Sequence, residues 1–154
     1  MKQRIFMGGV LLLVLLAIAV APVIAAPKDD VVSLVNKAIE YINTNGREKA
    51  YDEFTENKTG AFKKGELYIF VLTRDYMIIA HGANKKLIGK DLKALKDSRG
   101  KYFFKEMVDN GLKDGQAWVD YYWTNPKTNK PGLKSSYVKK LDGETVVGCG
   151  YYLN

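Results

Sequence analysis

The sequence predicts an α+β domain in which a five-stranded antiparallel sheet carries helices on both faces. Apolar residues recur at helical spacing between Val31 and Ile42, which indicates a long amphipathic helix near the start of the domain. Two apolar strands follow at residues 67–72 and 77–81, and three more strands close the chain after residue 115. This order of elements favours one mixed domain over a repeat or a bundle.

The helices are bounded by recognisable end signals. Asp29 and Asp30 supply N-cap chemistry for the first helix, and the dipeptide at 45–46, Asn-Gly, predicts its end. A shorter helix is expected around Ala50 to Phe54. The lysine-rich stretch 82–100 is predicted to be a loop with short helical turns. A further helix is expected over residues 101–113.

The first two strands are expected to form a hairpin around Arg74 and Asp75. Pairing Leu72 with Met77 places His81 on one face of the sheet with Tyr68 and Phe70, because alternate residues of a strand point to the same side.

The segment 115–138 combines an aromatic strand, a proline-flanked loop and a second strand that carries a lysine. If Thr124 lies opposite Leu133, four side chains share one face: Tyr121, Trp123, Lys134 and Ser136. An apolar wall with one cation and one hydroxyl is typical of a pocket for a small anionic molecule. The alternative is an amphipathic hairpin whose aromatic residues form the core while the lysine reaches water.

The last hairpin is predicted from the dipeptide at 142–143, Asp-Gly, which favours a two-residue turn. That turn places Tyr151 opposite Lys134. It places Gly148 and Gly150 on the other face of the sheet, where they would leave room for a helix.

The N-terminal segment resembles a targeting signal. Lys2 and Arg4 precede an apolar run from residue 5 to about residue 20, and small residues follow at Ala25 and Ala26. Residues 1–25 are therefore predicted to be a secretory signal peptide, and the alternative is an uncleaved N-terminal anchor. In both cases the remaining chain is exported to the periplasm or the extracellular space.

Composition excludes several function classes. The chain has 154 residues and a formal net charge of +7, but its lysines are scattered, and export argues against a nucleic-acid partner. Cys149 is the single cysteine and His81 the single histidine, so neither an intrachain disulfide nor a metal cluster is expected. No cofactor is predicted.

Four blocks of sequence carry a family resemblance: GELYIFVLTRDYMIIAHGANKKLIGKDL, YFFKEMV, GQAWVDYYWTNP and KSSYVKKLDGETVVGCGYY. Together they resemble the single Cache domain, of the Cache 2 type, found in extracytoplasmic sensors. The resemblance runs from about Val31 to the C-terminus, and residues 29–154 are predicted to form this one domain. It implies a PAS-like fold, with a long N-terminal helix on one face of the five-stranded sheet and short helices over a ligand pocket on the other.

The resemblance also implies a binding site for a short organic acid or an amino-acid-like ligand. Lys134 would meet the carboxylate as a charge-assisted donor. The implied ligand-binding residues are Tyr68, Phe70, His81, Tyr121, Trp123, Lys134, Ser136 and Tyr151. The implied pocket lid is Phe103, Phe104 and Met107.

The resemblance implies sensing and signal transduction, as in chemotaxis, through a partner such as a membrane receptor or a kinase. No second membrane helix follows in the sequence, so a free or N-terminally tethered module is expected. A homodimer through the N-terminal helix is a further expectation. The alternatives are a secreted structural or partner-binding protein without a ligand, and a small hydrolase-like enzyme. No nucleophile-elbow spacing supports the enzyme, which is therefore not expected.

Overall fold

The computed structural model describes residues 27–153, and the predicted signal segment lies outside them. The helices are α1 (Pro27–Asn45), α2 (Arg47–Glu56) and α3 (Phe103–Asp114), with a 3-10 helix at Lys85–Leu87. The strands are β1 (Lys63–Lys64), β2 (Leu67–Tyr68), β3 (Phe70–Thr73), β4 (Ile78–His81), β5 (Gln116–Thr124), β6 (Pro131–Lys140) and β7 (Thr145–Tyr152). None of the helices in the described range is long and apolar enough to cross a bilayer.

Strands β3 to β7 form one antiparallel sheet in the order β4-β3-β7-β6-β5, and β1 and β2 form a small separate hairpin. The last strand in sequence therefore lies at the centre of the sheet. The predicted fold class is confirmed.

Helices α1 and α2 cover one face of the sheet. The apolar stripe of α1 is fully or almost fully buried, as its 3.6-residue spacing requires: Val31, Val35, Ala38 and Ile42. It packs against Tyr137, Val147 and Cys149 of the central strands. We call this side of the sheet the helix face.

Helix α3 covers part of the opposite side, which we call the pocket face. Its buried residues include Phe103, Phe104, Met107 and Val108. These side chains pack against pocket-face residues of β3, β5 and β6. The helix begins two residues later than predicted and ends one residue later.

The β5–β6 hairpin pairs Thr124 with Pro131, so the predicted pairing with Leu133 was wrong by two residues. Tyr121 consequently lies opposite Lys134. A shift of two residues keeps every side chain on its predicted face, because the side-chain period of a strand is two.

The β6–β7 register differs from the prediction by one residue, and this moves Tyr151 to the helix face. Lys134 pairs with Tyr152, whereas Tyr151 packs near Trp118 among the helix-face residues. The predicted position of Tyr151 in the pocket was therefore wrong. A one-residue shift exchanges the two faces of a strand.

The turn that joins β6 to β7 explains this shift. Asp142 accepts hydrogen bonds from the Glu144 amide at 2.7 Å and the Thr145 hydroxyl at 2.7 Å, and it is paired with the Arg47 guanidinium. These contacts stabilise a longer loop in place of the two-residue turn.

The same shift places Gly148 and Gly150 on the pocket face, contrary to the prediction. A β-carbon on Gly150 would lie 2.8 Å from Cε of Lys134 and 2.6 Å from the Ser135 carbonyl oxygen. A β-carbon on Gly148 would lie 2.3 Å from the Phe70 ring. These glycines therefore make space for the side chains of the pocket face.

Candidate functional site

Lys134 lies at the centre of the pocket face, and its side chain is completely buried. Its Nζ donates a hydrogen bond of 2.7 Å to the phenol oxygen of Tyr68. Within residues 27–153 no carboxylate lies within ion-pair distance of this amine. Burial lowers the pKa of Lys134 to about 7, because the charged form loses its hydration.

Three aromatic rings surround the amine. The Nζ atom lies 3.9 Å from the ring centroid of Tyr68, 5.4 Å from that of Tyr152 and 5.9 Å from that of Phe70. Ring faces attract a cation and compensate part of its lost hydration. The positive charge of Lys134 is therefore stabilised by three aromatic rings and the Tyr68 hydroxyl.

Tyr121 and Ser136 form a second polar pair in the same interior. Their hydroxyls lie 3.0 Å apart, and burial raises the pKa of Tyr121, so that the phenol stays protonated. The Tyr121 ring stacks on Phe103 of α3 with ring centroids 4.3 Å apart. Phe103 and Phe104 also contact Trp123. Two of the residues predicted for the lid, Phe103 and Phe104, therefore pack against the aromatic wall.

His81 has its tautomer fixed by the backbone. Its Nδ1 accepts hydrogen bonds from the amides of Ala83 and Asn84, at 3.2 and 2.9 Å. An accepting Nδ1 carries no proton, so we assign the proton to Nε2. Burial and, secondarily, the charge of Lys134 lower the pKa of His81 to about 3. The ring is a neutral donor at physiological pH.

A cavity of about 380 Å³ opens beside these groups. It is enclosed by β2, β4, the segment 83–87 and the loop between β5 and β6. Its lining residues are Tyr68, His81, Ala83, Asn84, Leu87, Trp123, Thr124, Pro126 and Asn129. The volume suits a small molecule, and the wall combines aromatic rings with a few polar groups.

Three predicted site residues line this cavity: Tyr68, His81 and Trp123. Four others lie on the pocket face behind the wall: Phe70, Tyr121, Lys134 and Ser136. The three predicted lid residues, Phe103, Phe104 and Met107, are packed into the same interior. The rim is formed by segment 83–87 and the β5–β6 loop.

Tyr152 occupies the pocket-face position, opposite Lys134, that was predicted for Tyr151. Its ring faces Lys134, and its hydroxyl donates a 2.8 Å hydrogen bond to the carbonyl oxygen of Thr124 at the cavity rim. The alternation of side chains along GCGYY could not show which tyrosine faces the pocket, because the register of the last hairpin was not known from the sequence.

The depressed pKa of His81 predicts a defined loss of stability in acid. The unfolded state binds a proton below about pH 6.5 and the folded state only near pH 3, so stability falls as the pH falls through this window. At pH 5 we expect a loss of about 2 kcal/mol relative to pH 7.5 from this residue.

Urea unfolding of the wild type and of His81→Asn at both pH values measures this loss. Asparagine keeps an acceptor oxygen near the position of Nδ1 but does not titrate. The variant should lose about 2 kcal/mol less than the wild type between the two pH values. An equal loss in both proteins would contradict the assignment of a neutral, buried His81.

The comparisons with known proteins agree with this fold. The profile of the family Single Cache domain 2 matches residues 30–154. The chain therefore belongs to this family, whose members are sensor domains that lie outside the cytoplasm. Within the described part of the chain, no three His, Cys, Asp or Glu side chains come together as metal ligands would.

Two solved structures share the fold. One, described as the structural basis for carboxylic acid recognition by a Cache chemosensory domain, is 26% identical with a TM-score of 0.67; the match covers 82% of this chain and 93% of that one. The other, described as the periplasmic sensor domain of a chemotaxis protein, is 27% identical with a TM-score of 0.63; the match covers 82% of this chain and 90% of that one.

One curated relative is the methyl-accepting chemotaxis protein McpP of Pseudomonas putida. It is 27% identical over 119 residues, which are 77% of this chain and 22% of McpP. The chain thus spans about a fifth of the length of that receptor.

Proposed function

We propose that this chain binds a short organic acid outside the cytoplasm and contributes to signal transduction through a partner. The observation that carries the proposal is Lys134: a fully buried amine, without a carboxylate at ion-pair distance in residues 27–153, next to a cavity of about 380 Å³. A buried ammonium without a counter-anion is unfavourable, and an acid anion in the cavity would supply one.

The polar groups at the cavity support an anion over a cation or a sugar. Tyr68 and the neutral His81 line its wall, where the Tyr68 hydroxyl and Nε2–H of His81 can each donate a hydrogen bond, and Trp123 provides an apolar surface beside them. A carboxylate can accept two or more such bonds, while its short alkyl part contacts the ring. A ligand that displaces water from this wall would strengthen each polar contact.

The relatives support the same ligand class. One solved neighbour is described as a domain that recognises carboxylic acids, and McpP is a chemotaxis protein. For this chain, the acid ligand and the receptor or kinase partner are proposals based on these similarities and on Lys134.

A thermal-shift screen tests acid binding in the wild type. The panel contains acetate, propionate, lactate, pyruvate, succinate and glycine at pH 6, where Lys134 is largely protonated. At 100 times its Kd a ligand adds about 2.7 kcal/mol of stability, which raises Tm by about 5–10 °C for a domain of this size. If no member of the panel raises Tm, the proposed function fails.

Lys134→Met is the matched test of the site. Loss of a charged hydrogen-bonding group should weaken acid binding by about 1.5–3 kcal/mol, or roughly 10- to 150-fold in Kd. Lys139→Met, on the same strand, removes a lysine that donates to Asn36 on the protein's exterior and should leave Kd unchanged. Equal Kd values for the wild type and Lys134→Met would show that this lysine does not contribute to acid binding.

We propose no catalytic role for these groups. The Ser136 hydroxyl is paired with Tyr121 instead of a base, and Nδ1 of His81 is occupied by backbone amides. Nucleophilic catalysis needs a serine whose proton a neighbouring base can accept. Recovery of the bound acid unchanged after prolonged incubation is the expected result.

We also propose that the chain dimerises through α1. The outer side of the helix carries a mixed surface groove of about 540 Å³ lined by Asp29, Val32, Ser33, Asn36, Lys37 and Glu40. Sedimentation of the exported chain with and without the acid measures whether ligand binding changes its association.

A further inference from the structure

The cavity wall contains Tyr68 but not Lys134, so the lysine and the cavity are separated by one phenol. Nζ of Lys134 lies 2.7 Å from the Tyr68 oxygen, while the Tyr68 side chain borders the cavity. Gly150 lies against the Lys134 side chain, and because it has no β-carbon it leaves the space that Cε of Lys134 occupies. The Lys134 amine can therefore affect a ligand in the cavity through the Tyr68 side chain.

The direction of the hydrogen bond between these two groups depends on the charge of the lysine. A neutral amine has a lone pair, and the Tyr68 hydroxyl can donate its hydrogen to it. An ammonium has three hydrogens and no acceptor, so it donates to the phenol oxygen. Protonation of Lys134 thus frees the Tyr68 hydrogen, which can then be donated to an acceptor in the cavity.

We infer that Lys134 acts on a bound acid through Tyr68, and that the protein takes up one proton from solvent when the acid anion binds. The inference rests on the proposed function and adds its regulation by pH. The proton taken up from solvent binds to the Lys134 nitrogen. The Tyr68 hydroxyl then donates its hydrogen bond to a carboxylate oxygen of the acid. No covalent bond to carbon changes. Lys134 is a positioning residue for the Tyr68 hydroxyl in this arrangement.

The titratable groups near Lys134 come from five elements: Tyr68 of β2, His81 of β4, Tyr121 of β5, Tyr152 of β7 together with Cys149 on the opposite face of that strand, and Glu66 in the turn before β2. Burial raises the pKa of Cys149 to about 11 and that of Tyr152 to about 12, and it raises those of Tyr68 and Tyr121 as well. His81 has its pKa lowered to about 3. Glu66 accepts a hydrogen bond from Asn125 and forms no ion pair with Lys134.

Lys134 is therefore the group in this cluster whose charge changes near neutral pH. Below pH 7 the lysine already carries its proton, and the affinity for an acid anion should be nearly constant. Above pH 7 a proton must be taken up with the ligand, and Kd should rise about tenfold per pH unit until the lysine in the complex also titrates.

Isothermal titration calorimetry with acetate and with propionate tests the inference. Titrations at pH 6, 7, 8 and 9, each in two buffers of different ionisation enthalpy, give both Kd and the number of protons taken up. For the wild type we expect uptake approaching one proton at pH 8 and a Kd at pH 9 at least about tenfold above that at pH 7. Lys139→Met is the control and should match the wild type.

Two variants separate the steps. Lys134→Met should bind more weakly at pH 6, with no proton uptake and less than about a twofold change in Kd between pH 7 and 9. Tyr68→Phe should also lose the uptake, because the hydroxyl that links the lysine to the ligand is then missing. Tyr137→Phe removes a buried hydroxyl from the helix face and should retain it.

The outcomes distinguish this inference from the proposed function. Absence of heat and of a thermal shift with every acid in the panel would refute acid binding itself. Acid binding without proton uptake in the wild type would refute the inference alone. Proton uptake that persists in Tyr68→Phe would place the ammonium directly on the acid and overturn the role of the tyrosine.

Discussion

Lys134→Met should unfold at a higher temperature than the wild type at pH 6 in the absence of ligand. The pKa of this lysine falls from 10.5 in the unfolded chain to about 7 in the folded one. The unfolded state thus binds more protons between these values, and stability of the wild type rises with pH across that window. At pH 6 the penalty is on the order of 5 kcal/mol, and methionine removes it.

The measurement is urea unfolding of both proteins at pH 6 and at pH 9. The advantage of the methionine variant should shrink by about 3 kcal/mol at the higher pH, because the wild-type lysine is then neutral in the folded state. Lys139→Met, which removes a lysine from the outer part of β6, should show no such trend. A methionine variant that is less stable than the wild type at pH 6 would show that the charge is well compensated without a ligand.

The expected gain in stability is paired with an expected loss of binding. A buried charge is often less favourable than an apolar side chain of similar size, and groups with strongly shifted pKa values concentrate at functional sites. A gain in protein stability together with a loss of acid affinity distinguishes a binding lysine from a structural one. Replacing a structural lysine would lower the stability of the protein.

Gly150→Ala should destabilise the domain by about 3 kcal/mol or more. The added β-carbon would lie 2.1 Å from Oγ of Ser136 and 2.6 Å from the carbonyl oxygen of Ser135. The hydroxyl could rotate away, but the carbonyl belongs to the neighbouring central strand and cannot move without disturbing the β6–β7 ladder. The same methyl would displace Cε of Lys134, so acid binding should weaken as well.

Gly143→Ala is the control for this substitution. It lies in the turn of the same hairpin, and nothing lies within 4 Å of the added carbon, so its effect should stay within about 0.5 kcal/mol. Chemical denaturation of the two variants measures the difference. Equal stabilities would mean that the close approach at Gly150 is relieved without strain.

Side-chain alternation predicted the wall of the site better than it predicted the pairing of the strands. Tyr121 and Lys134 reached the correct face although their strands are offset by two residues from the prediction. In the β3–β4 pair Leu72 lies opposite Ile78 and not opposite Met77 as predicted, and the bulge between Val71 and Leu72 then brings His81 opposite Phe70. An even error in register preserves the faces, whereas an odd error exchanges them.

Tyr151 shows where local rules fail. The Asp-Gly dipeptide favours a two-residue turn, but Asp142 is held by Arg47 from the start of α2, a contact across 95 positions of sequence. That long-range ion pair, with the hydrogen bonds to Glu144 and Thr145, selects the longer loop. Local turn preference cannot include a partner from another element.

The sequence by itself determined the order of the elements, the two faces of the sheet on strands β5 and β6, and the presence of one lysine among aromatic residues. These follow from periods of 3.6 and 2 in the placement of apolar side chains. Only the tertiary structure decided that Lys134 is fully buried, that Tyr68 separates it from the cavity and that Tyr152 faces it. The physical reason is that these neighbours come from β2, β6 and β7, whose spacing in the folded protein depends on register and on long-range contacts.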